Sequence, residues 1–146
     1  MDLTELQAQR LDPRAILPTR AHPGDAGLAL YALAPCLLAP GARATIRTGV
    51  AVEIPVGYAG LVMPRSGLAS RSGIALVNAP GLIDAGYRGE LKVLLLNTDR
   101  KTRCEIAAGD RIAQLVLTAV QTPVVVEVAE LSDSTRAAGG FGSTGS

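Results

Sequence analysis

Glycine and proline divide this chain into short segments, and that division limits the fold more than any other feature of the sequence. Sixteen glycines and nine prolines occur among 146 residues, which favours short strands and many turns over long helices. Apolar runs recur between these turn signals about every 8–12 residues, a spacing typical of a β-sandwich or a β-barrel. The sequence therefore predicts an all-β domain.

Several segments have the patterns of strands. Residues 43–54 alternate between polar and apolar side chains, which predicts one half-buried strand. Residues 111–120 are apolar on nearly every position, as in a strand that lies between two layers. The other predicted strands are 28–32, 58–63, 90–97 and 124–128. The pattern of the first dozen residues fits either a strand or a frayed helical turn over 3–11 and does not decide between them.

Composition and charge exclude several classes of protein. The net charge of +1 gives no electrostatic footprint for nucleic acid. Two cysteines, Cys36 and Cys104, are too few for a disulfide framework, so we expect buried thiols. The N-terminus lacks the apolar core of a signal peptide, and the most apolar stretch, 26–40, is too short to span a bilayer. The expected compartment is the cytoplasm, with no membrane partner.

The chain is predicted to form one β-domain over residues 1–131 followed by a flexible arm over 132–146. Aromatic residues make up only 3% of the chain, so aliphatic side chains must fill the core of the domain. The arm is rich in Gly, Ser, Thr and Ala, a composition that concentrates in mobile termini.

Residues 78–90 combine glycines with three polar side chains between two apolar runs, a context that predicts strand, tight turn and strand. Asp84 can take a proton from a water, although an aspartate in a turn often serves only as its cap. Tyr87 offers a ring that can lie flat against a sugar or simply pack on the sheet. Asn78 offers a donor and an acceptor that suit the edge of a pyrimidine.

Two further segments have features of a phosphate site. Arg65, Ser66 and Gly67 precede one expected helical turn, and an arginine, a hydroxyl and free backbone N–H groups can form an anion site. An ordinary surface turn is the alternative. Gln114 is a polar side chain on an otherwise buried strand, so it needs a partner, which a phosphate oxygen or a neighbouring turn can supply.

The arm contains the only phenylalanine of the chain, Phe141, set among glycines. Its ring can stack on a nucleobase, and Arg136, Ser143 and Thr144 can bind phosphates. A linker without function is the alternative, but such a linker needs no isolated aromatic ring.

Five segments together resemble the signature motifs of the trimeric dUTP pyrophosphatases, the dUTPases. The run Gly-Leu-Ile-Asp-Ala-Gly-Tyr-Arg-Gly-Glu, residues 81–90, resembles the third motif. Residues 64–69, 109–115 and 136–145 resemble the second, fourth and fifth motifs, and the first motif falls on residues 26–30.

The resemblance implies a jelly-roll-like β-sandwich of the dUTPase type (a β-clip) and a homotrimer whose active sites are shared between subunits. It implies Mg²⁺-dependent hydrolysis of dUTP to dUMP and pyrophosphate, with the ion held through substrate phosphates and water rather than by direct protein ligands. Asp84 matches the water-activating aspartate, and Arg136 matches an arginine that acts like an arginine finger. Tyr87 matches the ring that leaves no room for a 2′-hydroxyl. The residues that match substrate-binding positions are Arg65, Ser66, Gly67, Asn78, Leu82, Ile83, Asp84, Tyr87, Lys92, Gln114, Arg136, Phe141, Gly142, Ser143 and Thr144.

The first motif departs from the family pattern, because Ala29 stands where the family has an aspartate. Asp25 lies nearby, but nothing in the sequence shows that it replaces the missing carboxylate. The fifth motif has Ala137 where glycine is usual. Because of Ala29, the alternative of a catalytically weakened dUTP-binding or regulatory protein remains open. A dCTP deaminase-like sister enzyme is a second alternative, which predicts a different catalytic set and lacks the fifth-motif arm.

Overall fold

A computed structural model describes residues 3–145 of the chain. Met1, Asp2 and Ser146, the last of which belongs to the predicted arm, lie outside the described residues. The described chain contains the following elements: β1 (Gln7–Arg10), β2 (Leu28–Tyr31), β3 (Cys36–Leu38), β4 (Arg43–Arg47), β5 (Val50–Glu53), β6 (Tyr58–Met63), α1 (Ser66–Ser72), β7 (Ile74–Leu76), β8 (Gly81–Ile83), β9 (Lys92–Asn97), β10 (Cys104–Ile106) and β11 (Arg111–Ala119).

The strands form two main antiparallel sheets that share one core. The first sheet has the order β2–β11–β6–β8 and the second has the order β4–β9–β7, while β1 pairs with β5 and β3 with β10. Val62 and Leu115 of the first sheet join Val93 and Leu95 of the second in one buried aliphatic cluster. The all-β sandwich expected from the sequence is confirmed.

Several predicted elements are confirmed with small changes in their bounds. The strands predicted at 28–32, 58–63 and 90–97 are β2, β6 and β9. The strand predicted at 111–120 is β11, which pairs with a neighbour on each edge. The undecided N-terminal segment contains a strand, β1. The helical turn expected after Ser66 is the longer helix α1, which begins at Ser66 and which Gly73 ends in the left-handed conformation.

The prediction of one strand over 43–54 is wrong, because a corner at Thr48 and Gly49 separates β4 from β5. Gly49 has φ +70°, and a Cβ there would lie 2.9 Å from the Cβ of Ala15. The Thr48 hydroxyl donates to the carbonyl of Leu91 at 2.6 Å. Contacts with residues far along the chain therefore decide this break.

The tight turn predicted within 78–90 is also wrong. The flanking runs do pair, as β7 with β9, but the residues between them form a wide loop that contains β8. Because β8 pairs with β6 of the first sheet, this loop passes from one sheet to the other and returns.

No strand forms at 124–128 in the described chain, which corrects the prediction of a last strand there. Valine favours strands, but a strand needs a partner for its backbone, and Val124 and Val125 are 86% and 94% exposed. Cys36 and Cys104 are unpaired but only half-buried, so the expectation of fully buried thiols is wrong as well. Within residues 3–145 the structure has no helix with the length and apolar character needed to cross a membrane.

Candidate active site

The phosphate cleft, as we name it, is a cavity of about 400 Å³ beside the central strand of the first sheet. It forms where the turn before β2 faces the start of α1 and the N-terminal half of β11. Its lining residues are Thr19, Ala21, Asp25, Ala26, Gly27, Ala29, Arg65, Ser66, Gly67, Arg111 and Gln114. Residues from the first, second and fourth motif-like segments therefore meet in one place.

Gln114 stands at the centre of this cleft because β11 pairs with both β2 and β6. It lies opposite Ala29 on one side and Met63 on the other. Its Nε2 donates to the carbonyl of Pro64 at 3.0 Å, so the neighbouring turn supplies the partner that this half-buried amide needs. A Cβ on Gly27 would overlap Oε1 of Gln114, which explains glycine at that position.

The start of α1 brings Arg65, Ser66 and Gly67 to the cleft. Arg65 caps the helix with extended backbone and makes no side-chain capping bond. Its carbonyl accepts the first intrahelical bond, from the N–H of Ala69. The N–H groups of Ser66 and Gly67 precede that bond and have no partner within the helix.

Ala29 lines the cleft without adding a charge to it. Its backbone N–H donates to the carbonyl of Thr19 at 2.7 Å, and its side chain is 9% exposed. The carboxylate of this cleft comes from Asp25, whose Oδ2 accepts from the backbone N–H of His22 at 3.0 Å. Arg65 and Arg111 supply two guanidinium groups.

A second cavity, which we name the hairpin cleft, measures about 200 Å³ and is lined by Leu82, Ile83, Asp84, Tyr87, Glu90 and Lys92. β8 and the turn after it present the first four of these residues, and β9 presents Lys92. The N–H of Tyr87 donates to the carbonyl of Asp84 at 3.1 Å and closes the turn. The Asp84 carboxylate, the Tyr87 ring and the Lys92 ammonium group thus share one small cleft.

The Tyr87 hydroxyl is already engaged within the hairpin. It donates to the carbonyl of Glu90 at 2.9 Å. A Cβ on Gly89 would lie 2.5 Å from this hydroxyl, so glycine lets the ring lie against the backbone. With its polar end occupied, the ring offers an apolar face to the cleft, and Tyr87 remains 43% exposed.

Asn78 lies outside both clefts. It is exposed, and a Cβ on Gly81 would approach its Nδ2 to 3.2 Å, which places the amide beside the start of β8. The structure therefore sets Asn78 at one end of β8 and Asp84 just beyond the other.

The two clefts are far apart within one chain. Ile83 pairs with Gly60, so Asp84 lies beside Ala59, whereas Arg65 follows the opposite end of β6. About six residue steps of roughly 3.3 Å separate these positions, so about 20 Å lie between the backbones of Asp84 and Arg65. One chain does not bring Asp84 to the phosphate cleft.

The arm residues lie in neither cleft. Arg136 Nε donates to the carbonyl of Gly139 at 2.8 Å, and the other hydrogen bonds of this segment also join arm residues to one another. Phe141 is fully exposed. Gly142, Ser143 and Thr144 are exposed as well.

Comparison with known proteins identifies the family. The dUTPase family model matches residues 13–145. The chain belongs to the dUTPase family.

Relatives named deoxyuridine 5′-triphosphate nucleotidohydrolase match nearly the whole chain. The dUTPase of Thermobifida fusca is 59% identical over 140 residues, which cover 96% of this chain and 78% of that protein. The dUTPase of Rhodococcus erythropolis is 53% identical over 144 residues, covering 99% of this chain and 88% of the relative.

Solved dUTPase structures share the fold. The dUTPase of Staphylococcus bacteriophage 80alpha, solved with dUPNHPP, has a TM-score of 0.92 at 34% identity, over 99% of this chain and 100% of that one. A mutant dUTPase of phage phi11 of S. aureus, described with a structural Mg(II) ion, has a TM-score of 0.81 at 32% identity, over 86% of this chain and 97% of that one.

Arg111 and Thr19 belong to the phosphate cleft of this dUTPase, although the sequence pattern did not single them out. Arg111 lies three residues before Gln114, so strict alternation would place the two side chains on opposite faces of the strand. An irregularity in the β2–β11 pairing between Arg111 and Ala113 changes that alternation. The fourth motif-like segment contained Arg111, but only the register of the strands shows that it lines the cleft.

Proposed function

We infer that this dUTPase hydrolyses dUTP to dUMP and pyrophosphate. The observation that carries the inference is the hairpin cleft, where the Asp84 carboxylate, the Tyr87 ring and the Lys92 ammonium group meet beside the third motif. Each has a separate role: Asp84 accepts a proton, the Tyr87 ring lies against the sugar, and Lys92 lies beside the nucleotide.

Asp84 acts as the general base in this mechanism. Its carboxylate accepts a proton from a water while the water oxygen bonds to the α-phosphorus in line. The bond between the α-phosphorus and the bridging oxygen breaks, and pyrophosphate leaves with that electron pair.

The hairpin recognises the deoxynucleoside. Backbone groups of Leu82, Ile83 and Asp84 contact the uracil edge, and the exposed amide of Asn78 lies near the start of the same strand. Because the Tyr87 hydroxyl is bonded to Glu90, the flat face of the ring lies against the sugar. A 2′-hydroxyl would collide with that face, so ribonucleotides are excluded by clash.

The phosphate cleft holds the triphosphate. The guanidinium of Arg65, the hydroxyl of Ser66 and the backbone N–H of Gly67 bind phosphate oxygens. Gln114 uses one amide hydrogen for Pro64 and has a second available for the substrate. Arg111 adds a second guanidinium to the same cleft. These donors stabilise the charge that develops on the leaving pyrophosphate.

The residues of the phosphate cleft fit a Mg²⁺ ion that the substrate itself chelates. Among residues 3–145, no group of three or more His, Cys, Asp or Glu side chains forms a protein-ligated metal site. Asp25 is the carboxylate that lines the cleft, so it can receive a water of the ion. The ion supplies neutralising charge to the phosphate oxygens when it is bound.

The complete site is shared between chains of a homotrimer. About 20 Å of β-strand separate Asp84 from Arg65 within one chain, which exceeds the reach of a single triphosphate. The valines of 124–128 are more than half exposed, and Leu131 is 87% exposed. This segment buries its apolar side chains when it crosses to a neighbouring subunit.

The arm acts as a lid over the bound nucleotide. Phe141 stacks on the uracil, while Arg136 binds the phosphates like an arginine finger. Gly142, Ser143 and Thr144 contact the phosphates from the same side. In the free chain the arm bonds to itself, so substrate binding orders it over the site.

A second function, dUTP binding with weak catalysis in a regulatory role, is favoured by one observation: Ala29 lines the phosphate cleft where the family pattern has an aspartate. Nothing in the structure favours the dCTP deaminase-like alternative, and the relatives named above are dUTP nucleotidohydrolases.

Pyrophosphate release from dUTP with Mg²⁺ tests both functions. Wild type, Ala29→Asp and Asp84→Asn are compared side by side. We expect rapid release by wild type and a loss of about 10²–10⁴-fold in Asp84→Asn, the range for a lost general base. A nearly silent wild type beside a fast Ala29→Asp variant would instead establish the binding function. Full activity of Asp84→Asn would refute the proposed base.

A further inference from the structure

Thr19 stands opposite Ala29 on the wall of the phosphate cleft. The two residues form a β-bridge, in which the N–H of Ala29 donates to the carbonyl of Thr19 at 2.7 Å. Residues directly opposite each other in an antiparallel pairing project their side chains to the same face. Gln114 lies opposite Ala29 on its other side. The side chains of Thr19, Ala29 and Gln114 therefore form one row across the cleft.

Tyr31 holds the hydroxyl of Thr19 on this face. The two hydroxyl oxygens lie 2.5 Å apart and form a hydrogen bond in which either can donate. Tyr31 follows Ala29 by two residues on β2, so both side chains project from the same face of the strand. The contact with Tyr31 therefore places the Thr19 hydroxyl on the cleft face independently of the bridge. Tyr31 itself is not among the residues that line the cleft.

This pair of hydroxyls keeps one hydrogen available to a ligand. Two hydroxyls carry two hydrogens, and the bond between them uses one. A phenol is a stronger donor than an aliphatic alcohol, so Tyr31 donates and Thr19 accepts, which leaves the hydrogen of Thr19 available. The accepted bond polarises the Thr19 hydroxyl and strengthens the bond that it donates. Ala29, directly opposite, has no side-chain acceptor to take up this hydrogen.

The charge of the cleft favours an anionic acceptor for this hydrogen. Arg65 and Arg111 bring two positive charges to the cleft, and Asp25 brings one negative charge. Arg111 pairs with Tyr31 across β11 and β2, so it is a neighbour of the hydroxyl pair. A phosphate oxygen is attracted by both guanidiniums and accepts hydrogen bonds from neutral donors as well.

We propose that Thr19 is a further substrate-binding residue, whose hydroxyl, positioned by Tyr31, donates to an oxygen of the β- or γ-phosphate of dUTP. The proposal rests on the proposed function of the phosphate cleft. The α-phosphate lies at the other end of the triphosphate, where the water activated by Asp84 attacks. Thr19 thus supplies a neutral donor opposite the position where Ala29 replaces the family's carboxylate.

Calorimetric binding of the dUTP analogue dUPNHPP and of dUMP, each with Mg²⁺, tests the proposal. The variants are Thr19→Val, Thr19→Ser and a control, Thr45→Val, on the exposed side of β4 outside both clefts. We expect Thr19→Val to raise the Kd of dUPNHPP about tenfold, the effect of a lost hydrogen bond to a charged group. The Kd of dUMP stays unchanged, because dUMP lacks the two outer phosphates. Thr19→Ser restores the hydroxyl and the wild-type Kd, and the control leaves both Kd values unchanged.

Tyr31→Phe shows whether Tyr31 positions the Thr19 hydroxyl. Without the phenol oxygen the hydroxyl can turn away from the phosphate, so we expect the Kd of dUPNHPP to rise about threefold, the effect of one neutral hydrogen bond. The double variant, Thr19→Val with Tyr31→Phe, has the Kd of Thr19→Val, because Tyr31 acts only through this hydroxyl. Losses that multiply would overturn the positioning role.

Two results would overturn the binding role of Thr19. An unchanged Kd of dUPNHPP in Thr19→Val, with or without a lower thermal midpoint, shows that the hydroxyl pair is purely structural. Equal losses for dUPNHPP and dUMP show a contact outside the two outer phosphates. If Thr19→Val does not fold, Tyr31→Phe carries the same test with the same outcomes.

The wild-type measurement separates this inference from the proposed function. A wild-type chain that neither binds dUPNHPP nor releases pyrophosphate from dUTP contradicts the proposed function. An active wild type that binds dUPNHPP no more tightly than Thr19→Val contradicts the inference alone.

Discussion

A mixture of two inactive variants is expected to regain activity if Asp84 and Arg65 of one site come from different chains. Asp84→Asn removes the proposed general base, and Arg65→Met removes a guanidinium from the phosphate cleft. We expect each variant alone to lose about 10²-fold or more. Because roughly 20 Å of strand separate the two positions, no site can take both residues from one chain.

The size of the recovery follows from this arrangement. In trimers assembled at random from equal amounts of both variants, a site is intact when one chain supplies a native Arg65 and its neighbour supplies a native Asp84. Each choice has a chance of about one half, so about one quarter of the sites are intact. Co-expressed chains should therefore show about one quarter of wild-type pyrophosphate release, far above either variant alone.

Native mass spectrometry provides the control, because it shows whether mixed trimers have formed. The double variant, Asp84→Asn with Arg65→Met, mixed with an equal amount of wild type gives a second check: a shared site leaves about one quarter of the sites intact, whereas a site formed within one chain would leave about one half. Mixed trimers that stay as inactive as the single variants would refute the shared site, and with it the separation of the two clefts.

Three further results are expected. Replacing the fully buried Asn97 by Leu removes two hydrogen bonds that it donates, to Leu38 and Thr102, and one that it accepts. This loss should lower the free energy of unfolding by about 3 kcal/mol, and an unchanged urea midpoint would contradict it. Hydrogen bonds from Arg14 lower the pKa of Asp12 from 3.8 to about 2. The ionised carboxylate of Asp12 therefore stabilises the folded state above about pH 4, and this stabilisation is lost as the pH falls toward about 2. Asp12→Asn should therefore flatten the dependence of the urea midpoint on pH in that window, and a curve parallel to wild type would argue against it. Deleting residues 132–146 should lower kcat by about 10³-fold without changing the thermal midpoint, because the hydrogen bonds of the arm are internal to it; an unchanged kcat would exclude a lid.

The elements that the sequence predicted well are those decided by local pattern. Short apolar runs between turn residues predict β2 and β6. The glycine-bounded polar segment predicts α1, which ends where Gly73 adopts the left-handed conformation. The grouping of Asp84 with Tyr87 also follows from their spacing, since three residues apart in a turn they remain neighbours.

The elements that the sequence did not predict depend on distant partners. β8 exists because β6 offers it an edge. The corner at Thr48 and Gly49 exists because Ala15 packs against Gly49 and the carbonyl of Leu91 accepts a hydrogen bond from Thr48. The segment at 124–128 has strand-forming residues, but within the described chain it pairs with no strand. Strict alternation along β11 would place Arg111 and Gln114 on opposite faces of the strand. The irregular pairing with β2 between Arg111 and Ala113 brings both to one cleft, and the sequence does not show that irregularity.

Alanine in place of the family's aspartate at position 29 changes the charge of the phosphate cleft. This charge bears on both functions considered above, the hydrolysis of dUTP and the binding of dUTP in a regulatory role. Among the residues that line it, the charged groups are the guanidiniums of Arg65 and Arg111 and the carboxylate of Asp25. An aspartate at position 29 would face Gln114 and balance the second guanidinium, leaving the cleft neutral. With alanine the cleft keeps an excess positive charge, which favours the triphosphate anion itself but provides one carboxylate fewer to order the waters of a Mg²⁺ ion. We expect the wild type to release pyrophosphate rapidly without this carboxylate, and the comparison with Ala29→Asp measures how much an added carboxylate changes the rate.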